Sequence, residues 1–113
     1  MKTIDKLNLS KKEKIILHKI KEKVKEIVSD GTVILFGSRA RMKAVSDSDW
    51  DILILTKRVT PKLEHEISAT LYELELEEDI IINPLVLPKK EWNNGLYLTH
   101  PIHKEVETEG ISL

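Results

Sequence analysis

No cysteine occurs among the 113 residues, so disulfides and thiolate metal sites are excluded and a reducing cytosol is the natural setting. Neither sign of charge dominates: 18 basic residues face 19 acidic ones, for a formal net charge of −1. That balance makes no electrostatic case for general nucleic-acid binding, which rests on a basic excess. No apolar stretch approaches the roughly 20 residues that span a bilayer. The lysine-rich N-terminus lacks the apolar core of a signal peptide. No internal repeat, low-complexity tract or linker is evident, and the length suits one core. These absences predict a single cytoplasmic domain over residues 1–113, without membrane contact.

Three metal or nucleotide motifs are missing as well. Asp47-Ser48-Asp49-Trp50-Asp51 imitates the start of a calcium-binding EF-hand loop, which needs glycine sixth and a bidentate glutamate twelfth. Those places hold Ile52 and Arg58. A P-loop fails because no Gly-Lys-Ser/Thr follows Gly37 at the required spacing. The histidines, His18, His65, His100 and His103, form no convincing metal set; His100 and His103 flank Pro101 at a helix entry and read as surface residues.

What is present centres on residues 36–51. Thr32-Val33-Ile34-Leu35-Phe36 is apolar and rich in β-branched residues, bounded by Asp30-Gly31 and Gly37, which predicts a buried strand. Gly37 lets the chain turn sharply and a ligand approach the backbone. Ser38 to Lys43 can form a short helical turn whose free N–H groups suit an anion. Asp49 to Thr56 reads as the next strand. Side chains two apart share a face of a strand, so Asp49 and Asp51 project side by side. Two adjacent carboxylates repel unless a cation lies between them, and Mg²⁺ shared with substrate phosphates is the usual remedy. The competing reading is a solvated Asp/Ser turn whose acids merely cap and bend the chain. Trp50, between the acids, faces away from them into a core or an interface.

Gly37-Ser38-Arg39-Ala40-Arg41 followed by Ser48-Asp49-Trp50-Asp51-Ile52 resembles the signature of the minimal nucleotidyltransferases of the DNA polymerase beta superfamily. The later segments Leu85-Val86-Leu87-Pro88-Lys89-Lys90-Glu91-Trp92, His100-Pro101-Ile102 and Glu109-Gly110-Ile111 are similar to those of small bacterial stand-alone members. The resemblance implies an α/β (α+β) nucleotidyltransferase fold, a small mixed sheet flanked by helices. It implies that Gly37 and Ser38 hold a nucleoside triphosphate, ATP by preference, and that Asp49 and Asp51 bind Mg²⁺. The reaction implied is in-line attack of an acceptor hydroxyl on the α-phosphate, with pyrophosphate leaving. Arg39 and Arg41 either neutralise the triphosphate or form a solvated basic turn.

Two departures from the family pattern stand out. Met42 occupies the place where the family usually has glycine, so a positive φ there would be strained. The third family carboxylate comes from the next strand, here Ile80 to Leu87, where alternation groups Asp79, Ile81 and Asn83 on one face. Asp79 is the candidate ligand or base, or else a solvated strand-entry residue. Asn83 can hydrogen-bond but cannot act as a base.

The remaining elements follow from local signals. Ser10 and Glu13 form a capping box before a helix to about Val28, with Ile16, Ile20, Val24 and Ile27 inward. Thr60-Pro61 starts a second helix with Leu63, Ile67, Leu71 and Leu74 buried. Glu75, Glu77 and Glu78 fall at its end. Pro84 predicts that the third strand is at an edge or bulged. Short helices are expected from Pro88 to Trp92 and after Pro101. Trp92 and Tyr97 either stack on a base or pack in the core.

No helical domain that would present an acceptor is legible, so the acceptor is expected from another subunit or protein. Minimal proteins of this kind resemble the antitoxin partner of a small helical HEPN protein, transferring AMP to a toxin tyrosine. Two other readings stay open: a module that neutralises its partner by contact alone, and a homo-oligomeric transferase acting on a small molecule of the aminoglycoside kind.

Overall fold

Residues 1–4, 9–42 and 47–113 are described by the computed structural model. The first long helix, α1 (Lys11–Ile27), follows a two-residue strand, β1 (Lys2–Thr3). Its start is the expected capping box: Ser10 Oγ accepts from the Glu13 amide at 3.1 Å, and Glu13 Oε1 accepts from the Ser10 amide at 3.0 Å. Ile16, Leu17, Ile20 and Val24 are its buried stripe. Strand β2 (Thr32–Phe36) leads directly into a four-residue helix, α2 (Gly37–Ala40), and β3 (Trp50–Thr56) follows. Helix α3 (Pro61–Glu78) opens as read, with Thr60 Oγ1 accepting from the Leu63 amide at 3.1 Å and proline in the first turn. Strand β4 (Ile82–Pro88), helices α4 (Lys89–Asn94) and α5 (Pro101–Glu109), and strand β5 (Ile111–Ser112) complete the chain.

The strands form one mixed sheet in the order β1-β5-β2-β3-β4. β2 runs antiparallel to β3 and β5, whereas β3 and β4 are parallel, joined through α3. β4 lies at the edge, where Pro84 costs no second ladder. The period-2 alternation of the central strands divides the core. Val33, Leu35, Trp50, Ile52 and Ile54 join the stripes of α1 and α3 on one face. Ile34, Leu53 and Leu55 join Trp92 of α4 and Val106 of α5 on the other. Each fully buried leucine or isoleucine stabilises the fold by roughly 1.5–3 kcal/mol relative to exposure. Asp51 has the parity of Leu53 and Leu55, while Trp50 enters the opposite layer, away from the acids as expected.

Three features differ from or exceed the sequence reading. β1 and β5 are too short to carry an alternation signal. The strand expected from Ile80 starts at Ile82, because α3 ends in a cap with Asp79 in the left-handed region at φ 55°. The Asp79 and Ile80 amides both donate to the Glu75 carbonyl, and the Glu75 carboxylate accepts from the Ile82 amide at 3.1 Å. Glu77 and Glu78 turn to Lys19 of α1, at 3.1 and 2.6 Å. Their hydrogen bonds, Glu78 first, hold the Lys19 ammonium above its usual pKa. Among the described residues no helix is long and apolar enough to cross a membrane.

Candidate active site

Gly37 sits where β2 becomes α2, with φ +76°. Its partner across the ladder is one residue removed: Phe36 pairs with Asp51. A Cβ on Gly37 would lie 2.2 Å from Asp51 Oδ2, so the missing side chain is what lets the Asp51 carboxylate rest against this turn. Ser38 follows on a helix short enough that its first amides lack intrahelical acceptors. Asp49 immediately precedes β3 and Asp51 is its second residue; both are half-buried. The Gly-Ser turn and the acid pair, separate signals in the sequence, thus meet at one end of the sheet.

The polar side chain that reaches the pair is Asn83 of β4. Its Nδ2 donates to Asp49 Oδ2 at 2.9 Å and to Asp51 Oδ1 at 3.3 Å. The parallel register makes this contact, since Asp51 and Asn83 are direct partners. Asp79, the acid proposed from the sequence, is instead exposed at the α3 cap, outside the strand. A strand phase starting at Ile80 grouped Asp79 with Asn83; the left-handed cap removes Asp79 from that face.

The two arginines have protein partners. Arg39 is 8% exposed, and its Nε and Nη2 donate to the Ser48 carbonyl at 3.0 and 2.8 Å. Its guanidinium lies 4.0 Å from the Trp50 ring centroid, with Glu13 at 3.8 Å. Burial pushes the Arg39 pKa down, opposed by the charges of Glu13, Asp47 and Asp49. Arg39 therefore ties the Gly-Ser turn to the residue before Asp49. Arg41 pairs with Glu105 at 2.6 Å and Glu109 at 3.8 Å, linking the end of α2 to α5. Met42 has φ 60°, so methionine occupies the strained conformation anticipated for that position. Lys43, the last residue of the expected turn, lies outside the described residues.

The other aromatic and histidine candidates lie apart. Trp92 is buried and packs 4.6 Å from the His103 ring and 6.3 Å from Tyr97. His100 Nδ1 caps α5 by accepting from the Ile102 amide. A groove of about 430 Å³ lined by His65, Ala69, Tyr72, Glu75 and Pro84 lies against α3, where Ile82 faces the opposite layer from Asn83.

Residues 17–107 match the model of the nucleotidyltransferase domain family, which spans most of the chain. The chain belongs to this family. It is also 36% identical over 77 residues to a Methanocaldococcus jannaschii protein named "Putative protein adenylyltransferase", covering 66% of this chain and 78% of that one. A chain in the crystal structure of a toxin–antitoxin with AMP-PNP is similar in fold, with a TM-score of 0.61 at 18% identity. The similarity covers 84% of this chain and 69% of that one.

For a nucleotidyltransferase the arrangement is chemically coherent. Two carboxylates side by side offer oxygen donors suited to a hard divalent cation. The donor set fits Mg²⁺, and the space a Gly37 Cβ would fill keeps the backbone turn close to it. The sequence placed Asn83 on this face as a hydrogen-bonding residue but not as the partner of both acids, and it gave no sign of the partners of Arg39. The register that sets Asn83 opposite Asp51 was not local information.

Proposed function

We propose that residues 1–113 form one Mg²⁺-dependent catalytic domain that transfers AMP from ATP to a hydroxyl of a partner protein in the cytoplasm. The observation carrying this reading is the juxtaposition of Gly37 with Asp51, and of Asp51 with Asp49, at the end of β2 and β3. The name of the archaeal relative supports protein as the acceptor and adenylyl as the group. The toxin–antitoxin context of the structural neighbour motivates the finer assignment, a tyrosine on a small helical HEPN-type toxin, with this chain as antitoxin.

In this mechanism the backbone of Gly37 and the hydroxyl of Ser38 bind the triphosphate. Asp49 and Asp51 hold Mg²⁺, whose chemistry is to neutralise phosphate charge and lower the acceptor's pKa. Arg39 fixes the separation of turn and carboxylates through Ser48. Arg41, exposed at the end of the Gly-Ser turn and paired with Glu105 and Glu109, meets outer phosphate oxygens. The acceptor oxygen forms a bond to the α-phosphorus as the bond to the bridging oxygen breaks, and pyrophosphate leaves with that electron pair. The acceptor proton passes to solvent, since Asn83 offers no base.

That neutral amide also favours a second reading, a module that binds nucleotide and silences its partner by contact. The deciding experiment is calorimetric titration of ATP, GTP, CTP and UTP, with and without Mg²⁺, into wild type and the Asp49→Asn/Asp51→Asn double variant. The expected result is Mg²⁺-dependent binding of ATP that the double variant weakens more than the roughly 10–100-fold typical of losing an outer-shell partner. Followed by transfer of radiolabelled AMP to the partner, this separates enzyme from contact module. Binding unaffected by the double substitution refutes the site.

A further inference from the structure

Asn83, expected from the sequence only to hydrogen-bond, occupies the centre of the acid pair. Its Nδ2 spans Asp49 Oδ2 and Asp51 Oδ1, so the positive ends of two N–H dipoles stand between two negative groups. Its backbone is held there by the parallel ladder, where Asp51 and Asn83 are direct partners, and the residue is exposed. We propose that Asn83 is a positioning residue that braces the two carboxylates and, when a divalent cation binds, turns its amide to become the third oxygen donor. The inference rests on the Mg²⁺ reading of the Asp49–Asp51 pair.

The chemistry dictates the turn. An amide NH₂ has no lone pair to offer a cation and is repelled by it, whereas the Oδ1 of the same group is a donor that hard cations accept. The terminal torsion of asparagine is broad and nearly two-fold, so exchanging Nδ2 for Oδ1 needs no change of packing. A carboxylate at the same place would ligate without turning, but would add a third like charge to the metal-free pair. Asparagine thus keeps the empty site stable at the expense of metal affinity.

The test is titration of Mg²⁺ alone into wild type, Asn83→Ala and Asn83→Asp, with folding checked by circular dichroism. Asn83→Ala is expected to weaken Mg²⁺ binding about tenfold, and Asn83→Asp to tighten it about tenfold, within the range for residues that support metal ligands. Equal or tighter binding by Asn83→Ala would make the amide a bystander or a competitor and overturns the proposal. So does Asn83→Asp binding no better than wild type. A second measurement needs no variant: the Asn83 side-chain NH₂ resonances in a ¹⁵N–¹H spectrum should shift as Mg²⁺ is added, and unmoved resonances at saturation refute the turn. Wild type that binds no Mg²⁺ brings down the metal reading together with this inference. Binding lost in the Asp49→Asn/Asp51→Asn variant but indifferent to Asn83 sinks this inference alone.

Discussion

Replacing Arg39 with methionine separates two roles that its sequence position leaves open, phosphate binding and structural bracing. Methionine keeps an unbranched apolar side chain and removes the guanidinium that stands over Trp50. Two charge-assisted hydrogen bonds to the Ser48 carbonyl disappear, and such bonds contribute about 1.5–3 kcal/mol each way they have been measured. The contact at 4.0 Å over Trp50 adds about 0.5–2 kcal/mol, according to its desolvation. The 3.8 Å pair with the partly exposed Glu13 adds about 0–1 kcal/mol. These contributions share one group and do not add, and removing a buried charge recovers part of its desolvation cost. A net loss of about 2 kcal/mol is therefore expected, or roughly 6–12 °C in Tm for a chain of this size. Thermal and urea unfolding would measure it, and ATP titration well below Tm would follow the site. Arg39→Lys should not restore stability, because an ammonium cannot both bond in a fork and stack on the ring. Wild-type stability in Arg39→Met, combined with lost ATP affinity, would refute the bracing argument and return Arg39 to the phosphates.

Gly37→Ala and Met42→Gly should move stability in opposite directions. Alanine at 37 meets Asp51 Oδ2 and a φ of +76°, so a loss above the roughly 1–2 kcal/mol of the left-handed conformation is expected, with Mg²⁺ affinity falling as Asp51 is displaced. Met42→Gly should relieve strain at φ 60° and raise Tm by a few degrees; unchanged melting of both variants would discredit this backbone geometry. Asp79→Asn should leave Mg²⁺ and ATP affinity within about twofold of wild type, since the residue caps α3 away from the strand, with asparagine tolerating the same left-handed φ. A tenfold loss in that titration would restore Asp79 as a ligand.

How much was legible depended on whether the information was local. The Ser10–Glu13 box, the Thr60-Pro61 start and the apolar runs Thr32–Phe36 and Ile52–Leu55 each reside in a few consecutive residues, and each formed as read. Gly37 and the spacing of Asp49 and Asp51 were legible because their chemistry needs particular backbone positions. The positive φ at Met42 was foreseeable for the same reason. Asp79, read as either a third acid or a solvated strand-entry residue, lies outside β4 because a left-handed cap took two residues out of the strand expected there. Arg39 meets Glu13 and Ser48, and Arg41 meets Glu105, only after distant segments have packed.

The strongest structural consequence concerns the two halves of the motif. Gly37-Ser38 opens α2 and Asp49-Trp50-Asp51 enters β3, so contacts between these elements set their distance and orientation. Three non-local contacts supply both: the Phe36–Asp51 ladder pair, the Arg39 bonds to Ser48 and the Asn83 amide across the acids. Trp50 strengthens the second by burying its ring in the α1–α3 layer beneath the Arg39 guanidinium, while its neighbours project to the other side. One tryptophan between two aspartates thus performs a mechanical task that neither aspartate can: it anchors the strand at the point where the half-buried carboxylates stand side by side. A site that must present two like charges at a sheet end needs such an anchor, because the charges themselves repel and contribute nothing to holding the strand in place.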